Sequence, residues 1–322
     1  VYSASVVTAG GASRIPNGAD TDSAADWMMN DPDGEGLPGF TGSIGAGEAY
    51  NTPAMPNLVN PADYYGEVDA SSQVALRQSL HEAVDDHIRY DYTATAWDTW
   101  NIVNAADEYP VGSDTILDLY RNHVGSKISG GQGWYNREHS WPNTYGFGSD
   151  GAGNYPYTDC HHLFACDASY NSDRSSRPFR TCDAACAEAV TQANNGQGGG
   201  SGVYPGNSNW YGGDVTGPNG LWETWVGRRG DVARALLYMD VRYEGGTHGA
   251  TGHVEPDLVL TDTLSLVTSG APYMGELSVL LQWHEQDPVD DLERRRNEVV
   301  YSYQTNRNPF VDHPEWVGCV YS

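Results

Sequence analysis

The chain has 322 residues, and its 43 Asp and Glu against 17 Lys and Arg give a formal charge of −26 at pH 7. Hydrophobic residues make up 39% of the composition, with 21 Tyr and 10 Trp, which excludes disorder over the whole length. No apolar run approaches the roughly 18 residues that a membrane-spanning helix needs. The acidity argues against polyanion binding through bulk charge and is typical of proteins that are adapted to high salt or hold cations.

The first 60 residues differ in composition from the rest of the chain. They are rich in Gly, Ala, Ser and Asp, and seven acidic residues face one base, Arg14. We expect residues 1–60 to form an acidic N-terminal extension and residues 61–322 to form the main domain. Asn30–Gly36 has the acidic spacing of a calcium loop but lacks the first and last ligands of an EF-hand, so an additional structural Ca²⁺ site and a plain acidic turn both stay open.

Apolar spacing and capping residues predict the first helices of the main domain. Ser71 or Ser72 can cap a helix in which an apolar residue recurs at every fourth position: Leu76, Leu80, Val84 and Ile88. A short helix is expected near Asp114–Tyr120. A longer helix is expected over Asp231–Glu244, with four residues on its buried face: Val232, Ala235, Leu236 and Met239.

The second half of the chain contains a predicted loop and one more predicted helix. Asp287 and Pro288 are typical of a helix start, and the helix should run to about Gln304. The Gly- and Asn-rich stretch Asn194–Gly213 predicts a surface loop. The fold class is therefore α+β, mostly helical, with a small irregular sheet.

Four of the five cysteines lie within 27 residues of one another: Cys160, Cys166, Cys182 and Cys186. This clustering favours local disulfides in an exported protein, and Cys182–Cys186 is the pairing we favour. Buried thiols are the alternative, and zinc is less favoured because no C-x₂-C pair is present. The first residue, Val1, is consistent with a processed secreted protein and equally with a shortened chain.

The residues that can carry chemistry concentrate between positions 135 and 179. This window holds N-R-E-H-S-W-P at 136–142, D-C-H-H-L at 159–163 and N-S-D-R at 171–174. It combines a base for water, hard oxygen ligands for a divalent cation and guanidinium groups for phosphate, which together suit phosphodiester hydrolysis.

Glu138 and the amide oxygen of Asn171 favour Mg²⁺, Ca²⁺ or Mn²⁺ over Zn²⁺ because they are hard oxygen donors. His139 is the candidate water activator, since an ordinary imidazole pKa of about 6.5 leaves most of it neutral at pH 7. Glu138 and His139 are neighbours, and neighbours on a regular strand point to opposite faces. Both can serve one site only where the strand ends or bulges, and Pro142 favours such an ending.

These motifs resemble the signature of the bacterial endonuclease I family, whose members include periplasmic and secreted nucleases. The resemblance rests on R-E-H-S-W-P at 137–142, D-x-H-H-L at 159–163 and N-x-x-R at 171–174. It continues in G-D-V-A-R-A at 230–235 and in a block from Trp283 to Phe310, and covers roughly residues 63–315. It implies a His-Me finger (ββα-metal) core and makes residues 61–322 an endonuclease I-like catalytic domain.

The resemblance implies a role for each motif residue. His139 would be the general base, and Glu138 and Asn171 would hold one divalent cation, with Mg²⁺ expected and Ca²⁺ or Mn²⁺ as alternatives. The products would carry 5′-phosphate and 3′-hydroxyl ends. Arg174 would contact phosphate or, equally open, form a salt bridge that holds the finger helix.

Four further residues complete the expected site. Arg137 and Arg177 are expected to bind substrate. Asp159 and His161 match a family motif, and we expect them to orient the hairpin rather than to take part in chemistry. In the neighbouring pair His161-His162, we expect one ring to be buried and the other exposed.

The expected function is that of a secreted, monomeric, metal-dependent and non-specific endonuclease without membrane association. It would cut DNA, and RNA is a further candidate substrate. Two alternatives stay open. One is a zinc hydrolase that uses His161 and His162. The other is an acidic calcium-binding extracellular protein in which the nuclease motif is a relic.

Overall fold

The computed structural model describes residues 64–128 and 133–321, together with the backbone of an antiparallel strand pair, β1 (Ala12–Arg14) and β2 (Trp27–Met29). The chain divides into two compact units, Val1–Val59 with Asp290–Arg295 and Asn60–Val289 with Arg296–Ser322. The candidate calcium loop at Asn30–Gly36 lies outside the described residues. The assignment of residues 1–60 as an extension and 61–322 as the catalytic domain stays a prediction.

Helices alternate with short strands along the rest of the chain. The helices are α1 (Gln73–Val84), α2 (Thr99–Ala106), α3 (Tyr155–Thr158), α4 (Ala168–Arg174), α5 (Arg229–Arg242), α6 (Leu277–Gln286), α7 (Asp291–Gln304), α8 (Pro309–Asp312) and α9 (Trp316–Val320). Helices take up 32% of the described residues and strands 17%. The α+β class is therefore confirmed, whereas the expectation of a mostly helical fold is overstated.

The strands form small separate sheets. Two antiparallel pairs are β3 (Thr115–Leu117) with β4 (Val124–Ser126), and β5 (Tyr135–His139) with β6 (Leu163–Asp167). A three-stranded antiparallel sheet consists of β7 (Ala187–Ala189), β8 (Asn209–Gly212) and β9 (Leu221–Glu223). One parallel pair joins β10 (Val259–Leu260) and β11 (Tyr273–Met274). Within the described residues, no helix has the length and apolar character that a membrane crossing requires.

Helix α5 is the central element of the larger core. All of its 14 residues except Arg229 are buried, and it packs against α1, α6, α8 and β10. The predicted helix over Asp231–Glu244 is confirmed, although it begins and ends two residues earlier. A helix that is buried on all sides must pair its polar groups internally, and α5 does so from Arg234, Tyr238 and Arg242.

Helix α1 has the predicted cap. Ser72 Oγ accepts a hydrogen bond from the amide of Ala75, and the apolar face buries three residues: Leu76, Leu80 and Val84. The helix ends at Val84 because Asp85 adopts an extended conformation. The predicted fourth member of the apolar face, Ile88, lies beyond this end and is 50% exposed.

One sequence-based assignment was wrong, and two others were wrong at one boundary. The segment near Asp114–Tyr120 holds strand β3 instead of a helix, because Thr115–Leu117 pairs with β4 and buries Ile116. The predicted loop Asn194–Gly213 ends in strand β8. Asp287 follows α6 rather than starting a helix, since its carboxylate accepts from the amide of Gly230 and ties the turn to α5. The next helix begins at Asp291 and reaches Gln304 as predicted.

The candidate site residues lie on a unit of two strands and one helix, β5, β6 and α4. Strands β5 and β6 pair in the register Glu138↔Phe164 and His139↔Leu163. Helix α4 follows β6 at once, because the carboxylate of Asp167 caps it by accepting from the amide of Ser169 at 2.9 Å. The helix packs back on both strands.

Buried histidines couple the stability of this fold to pH. His87 is 1% exposed, and its Nδ1 accepts from Arg242 Nε at 3.3 Å. Burial lowers the pKa of His87 to about 3 and that of His162 to about 4, so both rings stay neutral in the folded chain at neutral pH. Between about pH 6.5 and these values the unfolded chain binds more protons, and stability is lost as the pH falls.

We predict that His87→Phe reduces the loss of stability on acidification. The pKa of His87 is about 6.5 in the unfolded chain and about 3 in the folded chain, so acidification from pH 7 to pH 5 lowers the free energy of unfolding by about 2 kcal/mol. Phenylalanine does not titrate, so the variant lacks this loss. Urea unfolding followed by tryptophan fluorescence at both pH values measures the difference. An identical loss in the wild type and the variant would contradict the prediction.

Candidate active site

Glu138 is the next-to-last residue of strand β5 and is 2% exposed. Its Oε1 accepts from the hydroxyl of Tyr120 at 2.9 Å and lies 3.3 Å from Nη1 of Arg174. Burial raises the pKa of Glu138 to about 7, although Arg174 and Tyr120 act in the opposite direction. A carboxylate in this position is short of positive charge and would gain from a bound cation.

His139 is the last residue of β5, so the strand ends where the sequence analysis requires it to end. Its Nε2 lies 2.8 Å from the carbonyl oxygen of Tyr157. Because a carbonyl only accepts, Nε2 carries the proton and Nδ1 is the basic nitrogen. Burial, with a further contribution from His162, lowers the pKa of His139 to about 3, well below the ordinary value assumed from the sequence. The imidazole is therefore neutral at pH 7.

Asn171 reaches β5 from helix α4. Its Nδ2 donates to Oδ1 of Asn136 and, at 3.4 Å, to the carbonyl of Arg137. Asn136 and Glu138 are two residues apart on the strand and so share one face. The amide of Asn171 thus lies over the strand face that carries Glu138, with its nitrogen committed to the strand.

Arg174 lies on α4 three residues after Asn171 and is fully buried. Its Nη1 donates to the carbonyl of His139 at 3.0 Å, and its Nη2 donates to the carbonyl of Ser140 at 2.6 Å. Together with the contact to Glu138, these bonds tie the helix to the end of the strand. Of the two expected roles, this placement favours the salt bridge over phosphate contact, because the guanidinium has no exposed surface.

Arg137 and Arg177 do not have the exposed placement that substrate binding predicts. Both are buried, at 7% and 8% exposure. The guanidinium of Arg137 lies 3.3 Å from the ring centroid of Tyr92 and donates to Thr99 Oγ1 at 2.6 Å. Arg177 donates to the carbonyl of Gly212 at 3.1 Å. Both guanidinium groups therefore bind protein groups, and the expected substrate-binding role of Arg137 and Arg177 stays a prediction.

Asp159 and His161 anchor the hairpin to the core. The carboxylate of Asp159 accepts from the hydroxyls of Tyr238 at 2.7 Å and Tyr243 at 2.9 Å. Burial alone would raise the pKa of Asp159, but nearby histidines and hydrogen bonds hold it well below its usual value. His161 Nε2 lies 3.0 Å from the carbonyl of Asn306. These contacts support the orienting role, which stays a prediction.

The expected exposure of one ring in the pair His161-His162 was wrong. Both rings are buried, and His162 Nε2 lies 2.7 Å from the carbonyl of Pro156. In the described part of the chain, no group of three or more His, Cys, Asp or Glu side chains is placed to hold a metal ion. The arrangement therefore gives no support to a zinc hydrolase built on these two histidines.

Four of the five cysteines divide between one disulfide and two buried thiols, and the fifth, Cys319, is exposed. Cys182 and Cys186 form the predicted disulfide. Cys160 and Cys166 are buried free thiols, so the expectation of a disulfide framework holds for one pair only.

Two residues of the site escaped the sequence analysis. Tyr120 supplies the hydroxyl on Glu138, and Tyr157 supplies the carbonyl on His139. Neither belongs to a recognisable motif. A backbone carbonyl in particular leaves no trace in the residue type, so only the fold could reveal this second contact.

A buried carboxylate, a neutral imidazole and an amide thus converge on one strand–strand–helix unit, which is a set of groups suited to phosphodiester hydrolysis. The family model of Endonuclease I matches residues 72–315. The chain belongs to the endonuclease I family, and it is therefore a nuclease, a hydrolase that acts on nucleic acids.

Two bacterial proteins are similar to the chain over most of their length. An extracellular ribonuclease of Bacillus amyloliquefaciens is 40% identical over 256 residues, which cover 79% of this chain and 76% of that protein. An extracellular ribonuclease of Bacillus subtilis (strain 168) is 38% identical over 283 residues, which cover 87% of this chain and 84% of that protein.

We predict that Arg174→Met lowers the free energy of unfolding by about 3 kcal/mol at pH 8, because it leaves the Glu138 charge buried without its cation. The loss should shrink at pH 5, where the carboxyl is protonated. Arg121→Met is the matched control, since Arg121 pairs with Asp167 but is 36% exposed, and it should cost less than about 1 kcal/mol. Urea unfolding measures both variants, and equal losses would refute the assignment.

Proposed function

We propose that the chain is a secreted, divalent-metal-dependent and non-specific endonuclease that hydrolyses phosphodiester bonds in RNA and DNA. The observation that carries this proposal is the environment of His139, a neutral imidazole whose Nε2 donates to a carbonyl and whose Nδ1 therefore carries no proton. Family membership supports the nuclease activity, and the relatives named extracellular ribonuclease support RNA as a substrate.

In this proposal His139 Nδ1 removes a proton from water as the water oxygen attacks the phosphorus. The new bond joins that oxygen to phosphorus, and the bond from phosphorus to the 3′ oxygen breaks. The leaving 3′ oxygen takes up a proton from solvent, and the imidazolium later returns its proton to solvent, so the products carry 5′-phosphate and 3′-hydroxyl ends. The hydrogen bond from Nε2 to the Tyr157 carbonyl stabilises the imidazolium that forms.

Glu138 and Asn171 would hold the divalent cation. Their oxygen donors fit Mg²⁺, with Ca²⁺ or Mn²⁺ as alternatives, and the raised pKa of buried Glu138 fits a carboxylate that gains from a cation. When bound, such an ion stabilises the negative charge that develops on the phosphate and on the leaving oxygen. Tyr120 orients the carboxylate by donating to it. The unit of β5, β6 and α4 would then be the His-Me finger.

The remaining assignments rest on composition and on the relatives. The word extracellular in the names of both relatives, together with the Cys182–Cys186 disulfide, supports secretion. The charge of −26 supports activity in a saline environment. We propose that the enzyme acts as a monomer, that its substrate is nucleic acid without membrane association, and that residues 1–60 are an extension of the catalytic domain.

We predict that His139→Ala lowers the rate of plasmid and RNA cleavage by about 10²–10⁴-fold, because the general base is lost. His253→Ala is the matched control, since His253 is exposed, and it should cleave at the wild-type rate. Gel assays with Mg²⁺ measure cleavage, and circular dichroism checks that both variants fold. An unchanged rate in His139→Ala would remove His139 from the mechanism.

We also predict that a chelator abolishes cleavage and that added Mg²⁺ restores it. Loss of a hydrogen-bond partner of a metal ligand typically weakens metal binding by roughly 10–100-fold. Glu138→Gln changes a proposed ligand itself, so it should raise the Mg²⁺ concentration for half-maximal activity by at least that factor. Glu276→Gln, at a partly exposed pair with Arg180, is the control. Cleavage that resists chelation with tightly held zinc would favour the zinc hydrolase, and calcium-dependent stabilisation without any turnover would favour the relict motif.

A further inference from the structure

The described cations are already engaged by the protein. Within residues 64–128 and 133–321, and outside Asp290–Arg295, every Lys and Arg has a carboxylate or a backbone carbonyl as partner. Even the partly exposed ones are paired: Lys127 with Glu108, Arg121 with Asp167, Arg180 with Glu276, and Arg89 with Asp91 and Asp150. Attraction of phosphates to free cations is thus weak on this surface, which carries an excess of acid.

Aromatic rings, by contrast, surround the candidate base. The ring of Tyr92 stacks on His139 with centroids 5.6 Å apart, and the ring of Tyr157 lies 4.7 Å from His139. Phe147 lies 6.3 Å from His139 on another side. All three residues are half-buried, and the guanidinium of Arg137 covers one face of the Tyr92 ring at 3.3 Å, so Phe147 and Tyr157 are the rings beside the imidazole that can offer a face to a base.

A second group of rings lies around Tyr303. Trp97 is 60% exposed, its ring lies 6.1 Å from that of Tyr303, and Tyr303 lies 6.0 Å from Tyr90. Residues 91–98 form a closed loop, since the amide of Thr99 donates to the carbonyl of Asp91 at 3.0 Å. Tyr90 of one group and Tyr92 of the other are two residues apart in the chain. We call the two groups together the aromatic strip, which consists of Tyr90, Tyr92, Trp97, Phe147, Tyr157 and Tyr303.

We propose that the aromatic strip stacks on unpaired bases of the substrate and gives the enzyme a preference for single-stranded over duplex nucleic acid. The inference rests on the proposed function, because it assumes that His139 acts on a phosphodiester. Every base has a π face, so stacking tolerates any sequence. In a duplex these faces are covered by neighbouring bases, and only an unpaired strand can present them to the strip.

The electrostatics of the surface make stacking the main source of affinity. A nuclease that attracts phosphates with free arginines binds duplex and single strand through the same contacts. Here those arginines are engaged internally, and Asp91 and Asp150 beside the strip are exposed carboxylates. Base stacking is the attraction that such a surface still offers, and Trp97 offers the most exposed ring for it.

The test compares one sequence as single strand and as duplex, in RNA and in DNA, with Mg²⁺. For both RNA and DNA, the KM of the wild type should be lower for the single strand than for the duplex. Trp97→Ala should raise the KM for single strands by about 5–100-fold, the loss of one base–aromatic stack, and should change the KM for duplex little. Trp97→Phe should recover most of the loss.

The control is Trp316→Ala, because the ring of Trp316 packs on Tyr65 and His313 instead of in the strip, and its KM should equal that of the wild type. Equal KM values of wild type and Trp97→Ala on single strands, or a wild type that prefers duplex, would overturn the stacking proposal. A rise in the KM of Trp97→Ala on single-stranded RNA but not on single-stranded DNA would restrict the stacking proposal to RNA. Wild-type hydrolysis of bis(p-nitrophenyl) phosphate tests the chemistry separately, and its absence together with uncleaved oligonucleotides would instead reject the proposed function.

Discussion

The geometry of the site depends on one buried guanidinium. Arg174 donates to the carbonyls of His139 and Ser140 at the point where strand β5 ends, and it also faces the carboxylate of Glu138. A strand end inside a protein leaves carbonyls that need donors, and a buried carboxylate needs a counter-charge. One side chain from helix α4 meets both needs. It thereby holds the helix that carries Asn171 against the strand that carries the other two residues.

Burial then gives two adjacent residues opposite electrostatic roles. Desolvation penalises the charged form of each group, so it raises the pKa of Glu138 to about 7 and lowers the pKa of His139 to about 3. The imidazole is thus a neutral base over the whole physiological range. The carboxylate, in contrast, becomes fully charged most easily when a cation is near. A site built in this way would keep the imidazole of His139 neutral whether or not a cation binds at Glu138.

Most of the described arginines form salt bridges or hydrogen bonds within this strongly acidic chain. Arg242 binds the carboxylate of Glu255 through two nitrogens, at 2.8 and 2.9 Å, and Arg296 reaches Asp107 at 2.6 Å. These guanidinium groups neutralise carboxylates that the core could not otherwise hold. The consequence for function is a surface with few cations to offer to phosphate. In the function we propose, recognition of nucleic acid would depend on a bound cation at the site and on exposed aromatic rings such as that of Trp97.

The sequence by itself determined the features that depend on neighbouring residues: the cap of α1 at Ser72, the apolar helix α5, the disulfide between Cys182 and Cys186, and the family signature. It also located the window of the site, because motif spacing is local information. Only the tertiary structure decided that residues 115–117 form a strand and that Arg137, Arg174 and Arg177 face inward, since strand partners and burial come from distant parts of the chain. The same holds for the pKa of His139 and its bond to the Tyr157 carbonyl, which are properties of surroundings that no single residue type encodes.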